Sequence, residues 1–104
     1  MRPLPLVAPA GCTLSTEGLV AQLGRADRLA PNVLEVSRFP SGVSIAFAAG
    51  VDHALVRELV ATEASCCSFL ELDYAPETRV LRIGSDDPRG AEVIDMIEGA
   101  FGSR

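Results

Sequence analysis

The chain has 104 residues, 48 % of them hydrophobic, and nine basic against fourteen acidic side chains give a formal net charge of −5. That is the length of one domain, with enough apolar content for a core that needs no disulfide staples. All nine basic residues are Arg, scattered from Arg2 to Arg104 with no basic stripe, and only four Phe and one Tyr could stack on bases, so direct nucleic-acid binding is excluded on charge.

Residues 1–11, "MRPLPLVAPAG", read as an extended lead-in. Pro3 and Pro5 and the lack of a continuous apolar stretch argue against a secretory signal. No apolar run approaches the roughly 18 residues that span a bilayer. The expectation is a cytoplasmic protein with no membrane partner.

Residues 12–102 read as a single α+β domain. Ser15 is a good N-cap for a helix through "TEGLVAQLGRADRL", in which Leu19, Leu23 and Ala26 recur at helical spacing. Gly18 and Gly24 weaken this helix, and Pro31 with Asn32 ends it. The two runs around "PSG" in "NVLEVSRFPSGVSIAFAAG" read as a β-hairpin, Val43, Ile45 and Phe47 alternating with Ser44, Ala46 and Ala48. Asp52 caps a second helix through "HALVRELVATEASCC". Val56, Val60, Glu63 and Cys67 follow one line along it. "SFLELDY" and "TRVLRIGSD", joined by "APE", read as a second hairpin with Arg79 and Arg82 toward solvent. Asp87 and Pro88 form an N-cap and N1 pair for a last helix, whose buried side is Val93, Ile94, Ile97 and Phe101. The order is α-ββ-α-ββ-α. Hairpins cannot stand alone, and the simplest solution is a two-layer α+β sandwich, a four-stranded antiparallel sheet with helices on one face. Its other face carries Ser, Ala, Glu and Arg and is solvated or forms a homodimer.

Chemistry concentrates in "E-A-S-C-C-S-F", Glu63 to Phe69. Glu63 lies three residues before Cys66 and four before Cys67, separations that bring side chains together on a helix. His53 is the sole histidine; it follows the Asp52 cap, reads as exposed, and lies about 20 Å along the helix from Cys66. That removes a Cys–His nucleophile. The "DDP" stretch is explained as a cap rather than a carboxylate pair.

Three readings of the cysteines stay open. Free Cys packs as a small hydrophobe, and adjacent helical residues point about 100° apart, so at least one of the pair fits a core. A soft ion deprotonates thiols on binding, and two or three thiolates suit Hg(II), As(III), Cu(I) or Zn. Cys12 is the obvious third ligand, with Glu63 or water as a further one for zinc. A redox couple ranks last: a carboxylate and a helix C-terminus both raise thiol pKa, and a disulfide between neighbours is strained. A catalytic reading, thiol transfer or carbon–mercury cleavage, needs a proton donor, for which only Glu63 and Glu71 are near in sequence.

"C-T-L" at Cys12 to Leu14, "E-x-x-C-C-x-F" from Glu63 to Phe69 and "L-x-L-x-Y" from Leu70 to Tyr74 together resemble an uncharacterised family of small bacterial proteins. Similar segments are fused behind MerR-type regulators or found near mercury-resistance functions. The cysteine pair is also similar to the one with which mercuric reductases receive Hg(II). The resemblance spans residues 11–101 and implies heavy-metal binding or sensing, with Cys12, Cys66 and Cys67 as ligands and Glu63 as accessory. Ser68 stands where the family pattern has Pro after the pair. No regulator domain accompanies the motif, so a regulator protein is the implied partner.

Overall fold

The chain runs α1 (Thr16–Leu29), a 3-10 turn (Ala30–Asn32), β1 (Val33–Phe39), β2 (Gly42–Phe47), α2 (His53–Cys66), β3 (Glu71–Ala75), β4 (Val80–Gly84) and α3 (Pro88–Gly102). This computed structural model describes residues 16–102; the lead-in, Cys12, the Ser15 cap and the Cys66 side chain lie outside the described residues. The expected α-ββ-α-ββ-α order and α+β class are what the chain adopts.

Local signals set the helix starts. Asp52 holds an extended backbone (φ −79°, ψ 102°), and its carboxylate accepts from the Leu55 amide at 3.1 Å. Asp87 does the same for α3, accepting from the Arg89 amide at 2.9 Å, with Pro88 as the first helical residue. Each cap satisfies an amide that has no partner inside the helix.

The strands form one antiparallel sheet in the order β1-β2-β4-β3. The second strand of each hairpin is therefore central, and β1 and β3 are the edges. Side chains alternate across the sheet. Val43, Ile45, Phe47, Leu81 and Ile83 face inward and are fully buried. Above them lie α2, against β3, and α3, against β1, β2 and β4, while α1 packs on α2 and α3. Phe47 meets Tyr74 and Phe101 edge-to-face, at centroid separations of 6.4 and 6.2 Å. Burying each large apolar side chain stabilises the fold by roughly 1.5–3 kcal/mol. The exposed pairs of Arg38 with Asp95 and Glu98, both 2.9 Å, contribute at most about 1 kcal/mol each, so the core decides.

The register puts Glu35, Ser37 and Phe39 of β1, Gly42, Ser44 and Ala46 of β2, Val80, Arg82 and Gly84 of β4, and Glu71, Asp73 and Ala75 of β3 on the outer face. A bulge at Leu34 leaves that side chain 68 % exposed.

Arg79 departs from the solvent-facing position expected of it. It is half-buried with φ 59°, its amide donates to the Ala75 carbonyl at 2.7 Å, and its Nε donates to the Phe47 carbonyl at 3.3 Å. Closing four residues between β3 and β4 requires a left-handed residue at the end of the turn. No helix among the described residues is long and apolar enough to cross a membrane.

Candidate functional site: the end of helix α2

Helix α2 ends at Cys66, and Cys67 is its C-cap, with φ −124° and ψ 79°. The Cys67 amide still donates to the Glu63 carbonyl at 2.8 Å, and the Cys67 carbonyl accepts from the Leu70 amide at 3.0 Å, so the chain leaves the helix through a tight turn. That turn is pinned from β4 and α3. Ser85 Oγ donates to the Phe69 carbonyl at 2.7 Å, and the Arg89 guanidinium lies 4.8 Å from the centre of the Phe69 ring. Arg89 also pairs with Asp87 at 2.7 Å, which draws the Asp87 carboxyl down to about 2.

Cys67 is completely buried and belongs to the main core. It is disulfide-bonded, and its partner sulfur lies outside the described side chains. The sequence argues against a disulfide here, from the strain of a bond between neighbours and from the carboxylate and helix end that raise thiol pKa, yet Cys67 is bonded.

Glu63 is buried, only 6 % exposed. It borders a small cavity of about 30 Å³ between the three helices, among Leu19, Gln22, Leu59, Ile97 and Phe101. Gln22, likewise buried, bridges α1 and α2 by donating to the Leu59 carbonyl at 2.8 Å and accepting from Arg25 at 2.8 Å. The sequence did carry a signal for Glu63, because it continues the line from Val56 to Cys67. Residues of α1 and α3 cover that line where it reaches Glu63.

Thus Glu63 and Cys67 share one end of α2, Cys66 closes the helix, and Cys12 falls outside the described residues. Among the described residues, no three His, Cys, Asp or Glu side chains are grouped so that they could hold a metal ion. The chain matches no family model, no curated protein and no solved structure.

His53 belongs to a different neighbourhood. It is half-buried rather than exposed, and its Nδ1 shares a 2.6 Å hydrogen bond with the Tyr74 hydroxyl. Burial raises the Tyr74 pKa, while the charges of Arg57 and Arg79 pull it the other way. This pairing joins the start of α2 to β3 and leaves the histidine engaged away from the cysteines. Only the β3–α2 packing creates it, so sequence spacing held no trace of it.

Proposed function

We propose that the chain is a small thiol-based module that binds or senses a thiophilic metal or metalloid ion once the Cys67 disulfide is reduced. One observation supports this reading: a second sulfur already stands at bonding distance from Cys67. Reduction by a dithiol adds two electrons and two protons across that bond and leaves two thiols side by side. A soft ion such as Hg(II), As(III), Cu(I) or Zn(II) then displaces both protons. Cys12 and Cys66 are the other two cysteines of the chain and supply the remaining sulfur ligands, with the Glu63 carboxylate as accessory. A reducing cytoplasm favours the thiol form. Because Cys67 is buried, ion entry requires local opening of the turn after α2, a low-energy event at a helix end. As a sensor, the module acts through a regulator protein.

The test is titration of the reduced full chain with Hg(II) and with arsenite, following thiolate-to-metal charge-transfer absorption. Affinity above that of a simple dithiol is expected, with loss on Cys67→Ser. Binding no tighter than a free dithiol rejects the proposal.

The complete burial of Cys67 favours a second reading, a structural or interaction module whose cysteine is core packing. Its homodimer version uses the outer sheet face. Four strands with three outward residues each cover about 400 Å², against roughly 800 Å² per partner in a stable interface. Sedimentation equilibrium decides that version, and a monomer throughout the micromolar range removes it.

A further inference from the structure

The outer sheet face has a hollow of about 420 Å³ at the end where the β1–β2 turn meets the start of β3. In one row across the sheet, Phe39, Gly42, Gly84 and Glu71 are register neighbours. The two glycines leave the middle of the row without side chains, and the Phe39 ring folds over Gly42. In the next row Arg82 stands directly opposite Asp73. Its guanidinium nevertheless lies over the Phe39 ring, 4.2 Å from the centre. Among the described residues Arg82 makes no ion pair, and neither do Glu71, Asp73 or Asp86, which also border the hollow.

The hollow thus presents one cation, held on an aromatic face, and three carboxylates. A plain carboxylate ligand would meet three like charges. A plain amine would leave Arg82 unanswered. A ligand with one carboxylate and two cationic groups answers both signs. We propose that this hollow binds an amino acid with a basic side chain, its carboxylate on Arg82 and its two cations toward Glu71, Asp73 and Asp86. The volume suits a small molecule. The proposal is independent of the cysteines and of metal binding.

The experiment is calorimetric and amide-shift titration of the full chain with L-arginine and L-lysine, beside agmatine, which lacks the carboxylate, and glycine, which lacks the second cation. Expected is saturable binding of both basic amino acids near a Kd of about 1 mM or tighter, with shifts centred on Phe39, Gly84 and Glu71. Agmatine and glycine bind at least about fivefold more weakly. Arg82→Gln lowers L-arginine affinity by about fivefold without changing agmatine affinity, and Asp73→Asn weakens both. Both positions are exposed, and circular dichroism verifies that the variants fold. No saturable binding, agmatine binding as well as L-arginine, or indifference to Arg82→Gln each overturns the proposal.

Discussion

The Tyr74 hydroxyl and His53 Nδ1 lie 2.6 Å apart, a hydrogen bond between the edge strand β3 and the first turn of α2. Tyr74→Phe removes it and costs about 1 kcal/mol. Tyr74 is also the chain's sole tyrosine, so ultraviolet difference absorption reads its phenol alone. Burial raises its pKa above the ordinary 10.0. The fold favours the protonated phenol, so this stabilisation is full below pH 10 and is lost as pH rises through the raised folded value. Thermal unfolding in alkaline buffer is expected to show that loss in the parent chain and not in Tyr74→Phe.

Two glycines give opposite outcomes. A Cβ at Gly42 would sit 2.0 Å from the Ile83 carbonyl oxygen and 2.6 Å from Phe39 Cζ, so Gly42→Ala must push β2 and β4 apart. A loss of about 3 kcal/mol is expected. Gly24, inside α1, has nothing within 4 Å of that position. Gly24→Ala should gain about 0.5–1 kcal/mol from helix propensity and a less flexible unfolded chain. Circular-dichroism melts should separate the two variants in opposite directions from the parent, by about 4–8 °C per kcal/mol.

Asp87 contributes a small acid-sensitive increment to stability. Its folded pKa falls from 3.8 to about 2 because Arg89 hydrogen-bonds it through both side chain and amide. A depressed carboxylate stabilises the fold above its unfolded value, and the contribution disappears as pH falls through the folded one. Stability should therefore decline between about pH 4 and pH 2, and Asp87→Asn should flatten that part of the profile. Carbon NMR of the Asp87 carboxyl gives the pKa directly.

Cys67 should be unreactive to a maleimide in the native, non-reduced chain, since it is both buried and disulfide-bonded. After reduction, labelling should proceed at the rate of local opening and become immediate in denaturant. Peptide mass mapping without reduction identifies the partner sulfur.

The elements and caps were legible because each has a local cause. The alternation of Val43, Ile45 and Phe47 marks a strand with one buried face, and Asp52 and the Asp87–Pro88 pair mark helix starts. The strand order was not legible, because nothing local says that β2 pairs with β4 rather than with β3. The candidate site was half legible. The line from Val56 through Glu63 to Cys67 is helical periodicity, yet what covers it is α1, some forty residues earlier in the chain. The Arg82–Phe39 contact reaches across β2 from β4 to β1, strands of different hairpins, so it too depends on the β2–β4 pairing.

That pairing has a further consequence. Since β2 and β4 are neighbours, each hairpin unit on its own would expose a bare inner edge beside fully buried Val43 and Ile45, or Leu81 and Ile83. An unpaired apolar edge is a template for sticking to other chains. Cutting the backbone at the exposed Ala49–Gly50 link would leave two segments that each complete the other's sheet. The sheet is thus closed across the seam between the two hairpin units, and neither unit buries its inner strand without the other.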